Sequence, residues 1–163
     1  MTHSGRVLAN ALWLQAGWWL CVLGAQRPWL LLTLIPGLAL HLCLTLDTQR
    51  EIKAMLRVTL AGCLLDSVLG AAGVFAFDTV PLPLWLALIW LVLASGMRHS
   101  LAWLSRKWGI AALLGAAGAP PAYVAGARLA GVELPLGEIT TWLLLAPIWA
   151  AALPLLLRLA TWR

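Results

Sequence analysis

The sequence predicts an all-α polytopic integral membrane protein, a bundle of six transmembrane helices with both termini in the cytoplasm. Hydrophobic residues make up 63% of the 163 residues and charged residues only 10%, a composition that excludes an ordinary soluble domain. The apolar residues form six runs, each close to the ~20 residues that a helix needs to cross a bilayer. Little chain remains for a soluble catalytic domain, so any functional site must lie among the helices.

Turn-forming and charged residues divide the chain into six predicted helices within a single transmembrane domain. The polar segment 47–53 is predicted to be a hairpin between the second and third helices. Arg6 and the apolar run after it resemble a signal sequence. However, Leu23 stands where cleavage after Ala25 would need a small residue, so the first helix is interpreted as an uncleaved anchor. The predicted helices are 7–24, 29–46, 54–77, 84–105, 108–131 and 138–161.

The distribution of basic residues predicts the topology. The loops on the side opposite the two termini hold Arg27, with Arg128 close by. We expect Arg128 to reach the headgroups or to pair with Glu133 or Asp78. This asymmetry follows the positive-inside rule and predicts that both termini lie in the cytoplasm. The basic residues are scattered at helix ends and do not form the stripe that would indicate nucleic-acid binding. Most of the eleven tryptophans fall near helix ends, as in an aromatic belt. The side shared by both termini holds Arg6, Arg50, Lys53, Arg57, Arg106, Lys107, Arg158 and Arg163.

Asp66 is the sharpest candidate for a functional residue. It is an acid in the middle of an apolar helix, and a charge near the bilayer centre costs roughly 2.5–3.5 kcal/mol on insertion scales. Gly62, Gly70 and Gly73 share its helix face, so another helix can approach closely there. We therefore expect Asp66 to face protein or a water-filled cavity and to have a partner.

Other polar residues inside the apolar runs are predicted to gather with Asp66 in the cytoplasmic half of the bundle. Three interpretations of Asp66 stay open: a buried ion pair with Arg98, a proton relay with His99 or His41, and capping of helix backbone by a protonated acid. The candidate cluster is Asn10, His41, Asp66, Ser67, Arg98, His99, Ser100 and Tyr123.

No metal site and no cofactor are predicted. His41 and His99 lie on different helices without a metal-binding spacing such as HExxH, and a third ligand would have to be Asp66 or Asp47. A hydrogen-bonded role in helix packing is the alternative for each histidine. No nucleophile or phosphate-binding motif occurs, so catalysis stays an open question. The cysteines are interpreted as small buried hydrophobes at different depths; they are Cys21, Cys43 and Cys63.

The fifth helix is predicted to break at Pro120 and Pro121, because two backbone donors are missing there. Such a break often lines a transport site, here a cavity beside Asp66 and Tyr123. The alternative is a proline kink with close packing through small residues. Those residues are Gly118, Ala122 and Gly126.

Several of these residues belong to short motifs that follow one another over nearly the whole chain. They are Asn10-x2-Trp13, Leu65-Asp66-Ser67, Pro83-Leu-Trp85, Ser100-Leu-Ala-Trp-Leu104 and Tyr123-x2-Gly126-Ala-Arg128. This order resembles domain-of-unknown-function family 2878, small bacterial inner-membrane proteins. The resemblance implies that the matching positions are Asn10, Asp66, Ser67, His99, Ser100, Tyr123 and Arg128. Arg98 stands where an uncharged residue is expected, which weakens a mechanism that needs the pair of Asp66 with Arg98.

The resemblance implies no assigned activity, but relatives tend to be encoded beside a methyltransferase that resembles cyclopropane-fatty-acid synthase. The leading hypothesis is therefore an accessory factor in acyl-lipid modification or membrane maintenance that binds lipid between the third, fourth and fifth helices. One alternative is a small proton-coupled transporter or channel that uses Asp66 and His99. Another is a structural partner of a second membrane protein. The expected partners are thus membrane lipids and a membrane protein.

Overall fold

The computed structural model describes residues 3–162, and the regular elements in this range are helices. Within that range the prediction of an all-α chain with six helices is confirmed. Two 3₁₀ helices accompany the α-helices, Pro28–Thr33 directly before α2 and Ala102–Arg106 between α4 and α5. The α-helices are α1 His3–Gly24, α2 Leu34–Leu44, α3 Thr48–Ala71, α4 Leu84–Met97, α5 Trp108–Ala130 and α6 Glu138–Thr161.

Four of the helices are long and apolar enough to cross a membrane: α1, α3, α5 and α6. The other two apolar helical stretches are shorter, Pro28–Leu44 and Leu84–Met97. The expected fourth helix, 84–105, ends at Met97 because the chain turns there and resumes as a 3₁₀ helix. The fold is therefore that of a helical membrane protein.

Helix α3 begins earlier than expected. The Asp47 side chain accepts a hydrogen bond from the Arg50 backbone N–H at 3.1 Å, the usual geometry of an N-cap. The prediction that 47–53 forms a polar hairpin is therefore wrong, because these residues are the cap and first turns of α3. The shift places Glu51 inside the helix instead of in a loop.

Helix α3 also ends earlier than expected, at Ala71 instead of residue 77. Gly73 adopts a left-handed backbone with φ of 77°, and the Val74 N–H donates to the Leu69 carbonyl at 3.0 Å. Together with the bond from the Gly73 N–H to the Gly70 carbonyl, this is the Schellman arrangement that ends helices at a glycine. Gly73 therefore stops the helix and does not share the face of Asp66.

Helix α5 runs without a break through Pro120 and Pro121, so the prediction of a broken fifth helix is wrong. The reason is tertiary packing, because α5 lies along α6 in the most extensive helix contact of the bundle. A Cβ atom on Gly115 would lie 2.2 Å from the Trp149 carbonyl oxygen of α6. Backbones that approach this closely hold α5 in register across its prolines.

The remaining helices pack around α4, which lies against both α1 and α3, while α3 also contacts α6. Gly62 of α3 faces the Trp90 ring of α4, and a Cβ there would lie 2.0 Å from Trp90 Cδ2. The close approach predicted for the face of Asp66 is thus made at Gly62. Helices α4 and α5 hardly meet, which leaves a space between them.

Candidate functional site

The predicted polar cluster divides into separate groups. Asp66 and Tyr123 lie together with Trp90, whereas His41, Arg98 and His99 surround Glu51. A third group, around Asn10, joins α1 to the end of α4. Ser67 lies outside these groups, since its hydroxyl donates to the Cys63 carbonyl of its own helix at 2.7 Å.

Asp66 is fully buried at the centre of the bundle. Its Oδ2 accepts a hydrogen bond from Trp90 Nε1 at 2.6 Å, and its Oδ1 accepts one from the Tyr123 hydroxyl at 2.7 Å. Trp90 comes from α4 and Tyr123 from α5, and the Trp90 ring stacks on Trp149 of α6 with centroids 5.5 Å apart. Hydrogen bonds from neutral aromatic donors therefore connect the carboxyl group of α3 to α4 and α5, and ring stacking extends the contact to α6.

The expected ion pair of Asp66 with Arg98 does not form, and that interpretation is wrong. Arg98 Nη1 lies 3.4 Å from Glu51 Oε2 instead. The reason is distance along α3. Asp66 follows Glu51 by 15 residues, so it lies about 22 Å farther along the helix axis. Arg98, just beyond the end of α4, lies at the level of Glu51.

Glu51 is only 1% exposed although it occupies the first turns of α3. Its Oε1 lies 3.1 Å from His41 Nε2 and 3.2 Å from His99 Nε2. The two imidazole rings meet edge to face, with centroids 4.9 Å apart. Helix α2, helix α3 and the turn after α4 therefore bring two imidazoles and a guanidinium onto one buried carboxylate.

Sequence reasoning missed Glu51, because it lies in the polar segment that was assigned to a hairpin. A helical pattern would have found it, since Glu51 continues the apolar stripe of α3 at helical spacing. If a metal ion bound His41 and His99, the third ligand would be Glu51, so the expectation of Asp66 or Asp47 is wrong. The buried residues of the stripe are Glu51, Ala54, Met55, Val58, Gly62, Asp66 and Leu69.

The group around Asn10 fastens the end of α4. Asn10 Oδ1 accepts from the Ser100 N–H at 3.1 Å and from the Ser100 hydroxyl at 2.7 Å. Asn10 Nδ2 donates to the Ser95 carbonyl at 3.2 Å, and Trp13 Nε1 donates to Ser95 Oγ at 3.0 Å. These bonds satisfy backbone groups freed where the helix stops, which is a structural role.

Arg128, the basic residue at the outer end of α5, forms a bidentate ion pair with Glu138 at the start of α6. The expectation of Glu133 or Asp78 as its partner is therefore wrong. Both side chains are exposed. The pair joins the ends of two helices that are already in contact, so it closes the α5–α6 hairpin.

The cysteines within the described range are all free.

An apolar cavity of about 340 Å³ lies between α4 and α5 and is bordered by α1, α6 and the loop after α3. Trp90 and Tyr123, the two donors to Asp66, form part of its wall. The small residues Ala122 and Gly126 of α5 leave room for it, so a cavity beside Tyr123 exists although the helix is unbroken. Its other aromatic lining residues are Trp18, Phe75, Phe77, Trp85 and Trp149.

These features define a helical membrane protein with an apolar cavity and two buried carboxylate groups. The chain belongs to the family described as protein of unknown function, DUF2878, whose sequence model matches residues 7–155. The resemblance found in the sequence is thereby confirmed. No curated protein and no solved structure matches the chain significantly.

Proposed function

We propose that this protein is a bacterial inner-membrane protein that binds the acyl chain of a membrane lipid in the cavity between α4 and α5. In this role it acts as an accessory factor in acyl-lipid modification or membrane maintenance. The observation that carries the proposal is the cavity itself, because an almost wholly apolar lining suits a hydrocarbon chain. The volume of 340 Å³ lies in the range of about 300–1,000 Å³ that is usual for small-molecule sites.

The few polar groups at the cavity support an acyl chain over a polar ligand. The Tyr123 hydroxyl and the Trp90 N–H both donate to Asp66, and Asp66 itself is fully buried behind them. The Trp149 N–H, also at the wall, is buried without a hydrogen-bond partner among the described residues, but the rest of the lining is almost wholly apolar. A polar substrate would therefore leave most of its groups unpaired, at a cost of about 1–3 kcal/mol for each group. A hydrocarbon chain has no such groups.

The proposed site differs in one respect from the expectation of lipid between the third, fourth and fifth helices. Helix α3 contributes no residue to the cavity lining. Its contribution is Asp66, which holds Trp90 and Tyr123 in place from behind. Loop residues Phe75 and Phe77 take the place of α3 in the wall.

The proposal includes six membrane spans with both termini in the cytoplasm. Pro28–Leu44 combines a 3₁₀ helix of 6 residues with an α-helix of 11, which together extend about 28 Å at the usual rise per residue. That length nearly matches the ~30 Å hydrocarbon core of a bilayer. Helix α4 has 14 residues, or about 21 Å, so a full span also needs part of 98–106. The basic residues support this topology, since they concentrate on the side of both termini.

Photo-crosslinking tests the proposed binding site. The full-length protein, in membranes that contain a phospholipid with a photoreactive acyl chain, is irradiated and digested, and labelled peptides are located by mass spectrometry. We expect label on the cavity-facing part of α5. Ala122→Phe fills the cavity and should remove this label, whereas Ala117→Phe adds the same bulk at an exposed position of the same helix. Equal labelling of both variants would contradict the proposal.

Lipid analysis tests the function. The acyl-chain profile of a deletion strain is compared after complementation with the wild type, Ala122→Phe or Ala117→Phe at equal protein abundance. We expect the wild type and Ala117→Phe to restore the profile and Ala122→Phe to fail. A profile that deletion does not change would overturn the lipid function.

Proton-coupled transport remains a prediction that no contact favours. Among the described residues, Asp66 belongs to the group with Trp90 and Tyr123, and His99 belongs to the group around Glu51. The carboxylates of these two groups lie about 22 Å apart along α3. Flux in proteoliposomes separates the two hypotheses, because transport through Asp66 requires pH-dependent flux that Asp66→Asn abolishes.

A further inference from the structure

We propose that His41, Glu51 and His99 form a binding site for a divalent transition-metal ion such as Zn²⁺. The site goes beyond the acyl-chain cavity and uses none of its lining residues. Each of the three residues offers one ligand atom, and these atoms all lie within 4.8 Å of one another. They come from α2, the start of α3 and the turn after α4, so only the folded chain brings them together.

The distances fit a metal centre. Zn²⁺ binds imidazole nitrogen and carboxylate oxygen at about 2.0–2.1 Å in tetrahedral geometry, which places neighbouring ligand atoms about 3.3 Å apart. The observed separations of Glu51 Oε1 are 3.1 Å to His41 Nε2 and 3.2 Å to His99 Nε2. His41 Nε2 and Glu51 Oε1 are hydrogen-bonded, so an ion would take the place of the proton between them. It would also draw the three ligand atoms, which lie within 4.8 Å of one another, to about 3.3 Å apart.

His99 supplies a second argument. Its Nε2 is buried and lies close to Glu51 Oε1, but it does not meet hydrogen-bond geometry with any partner in the described part of the chain. A buried polar atom without a hydrogen bond is costly. A metal ion at the meeting point of the three ligands would satisfy this nitrogen through its lone pair, with the imidazole proton on Nδ1.

Arg98 fits as a support for the carboxylate. It contacts Glu51 Oε2 and leaves Oε1 directed at the two imidazoles, and contacts of this kind orient metal ligands in known centres. The His99 side chain is 34% exposed although its Nε2 is buried, so the ligand atoms lie beneath a side chain at the surface. Two imidazoles and one carboxylate also leave a fourth position for water, which is the ligand set of many catalytic zinc sites.

Metal binding is tested on the full-length protein, purified in detergent with an affinity tag that contains no histidine and stripped with a chelator. Co²⁺ is the probe, because tetrahedral Co²⁺ absorbs visible light, and Zn²⁺ is then added as competitor. We expect one ion per chain with a tetrahedral spectrum that Zn²⁺ removes. Elemental analysis of protein purified without chelator should find a transition metal at a similar ratio.

Variants locate the ion. His41→Ala, His99→Ala and Glu51→Gln should each weaken Co²⁺ affinity by at least about 100-fold, since loss of supporting contacts alone costs 10–100-fold. Asp66→Asn is the matched control, because it alters the other buried carboxylate of α3, and it should bind Co²⁺ as the wild type does. His99→Ala is the decisive variant, since this partly exposed side chain can be removed with the least risk to folding.

Two results would overturn the metal site. One is a wild type that takes up no stoichiometric Co²⁺, and the other is Co²⁺ binding that His99→Ala leaves unchanged in protein with native circular dichroism. Neither result would touch the acyl-chain proposal, whose tests depend on Ala122 and not on this cluster.

Discussion

Helix α3 carries two buried carboxylates on one stripe, Glu51 and Asp66, and their surroundings differ in kind. Glu51 is enclosed by two imidazoles and a guanidinium, whereas Asp66 accepts hydrogen bonds from an indole and a phenol. The helix supplies the same chemical group twice. What each carboxylate can do is decided by the residues that the neighbouring helices bring to it.

Whether the neighbours of a buried acid are charged or neutral decides which substitutions the acid tolerates. A charged neighbour requires a negative charge to remain opposite it, because an unpaired buried cation is costly. Neutral donors require only an acceptor of the right shape. The comparison therefore predicts that substituting the acid by its amide is severe at Glu51 and mild at Asp66.

The largest effect is expected for Glu51→Gln in metal-free protein. Removing one partner of a buried ion pair costs about 3–5 kcal/mol, and we expect the lower end because the Arg98 side chain is 28% exposed. The free energy of unfolding in mixed micelles measures the effect. Glu138→Gln is the control, since it changes the exposed pair with Arg128 and should have no measurable effect. Equal stability of the two variants would contradict a charge-dependent role for Glu51.

The second effect separates two substitutions at Asp66. Asp66→Leu leaves the Trp90 N–H and the Tyr123 hydroxyl without an acceptor and should cost about 2–4 kcal/mol of unfolding free energy. Asp66→Asn should cost only about 1 kcal/mol, because its carbonyl accepts from Trp90 and the tyrosine hydroxyl can accept from its amide. The same micelle assay applies. If Asp66→Asn were as damaging as Glu51→Gln, the two acids would not differ as proposed.

A third, smaller effect tests the close packing that places Asp66 against Trp90. Gly62→Ala forces the Trp90 ring to move, since the added Cβ would lie 2.0 Å from it, and should destabilise by about 1–2 kcal/mol. Gly118→Ala is the matched control, because a Cβ there meets nothing within 4 Å and alanine is the better helix former. An equal effect of the two variants on stability would contradict the packing role of Gly62, because helix propensity alone favours alanine at both positions.

The sequence was sufficient for the class of fold, since composition and six apolar runs require a helical membrane protein. It was also sufficient for Asp66, because an acid in an apolar run stands out. Glu51 did not stand out among its charged neighbours, although the helical spacing of the apolar stripe and the N-cap at Asp47 both place it on a helix. The partner of Arg98 depends on how far α3 and α4 are shifted along each other, and a single sequence does not give this shift.

The continuity of α5 could not be predicted from its local sequence either. Two adjacent prolines favour a break by themselves, and the continuous helix is accompanied by packing along α6 that is close at Gly115 and Trp149. In contrast, the end of α3 was accessible, because a glycine such as Gly73 is the common residue of a Schellman motif. The glycine signal could thus have located the end of α3, whereas contacts between helices decided the sites.

The smallest effect concerns Ser67, the neighbour of Asp66 in the predicted cluster. Its hydroxyl donates to the Cys63 carbonyl four residues earlier, a bond that contributes little to a helix. Ser67→Ala should therefore change stability by no more than about 0.5 kcal/mol and leave acyl-chain labelling intact. Ser100→Ala, at a buried serine whose hydroxyl donates to Asn10, should cost about 1 kcal/mol. A loss of labelling in Ser67→Ala would place this hydroxyl in the lipid site and extend that site from the cavity wall to α3.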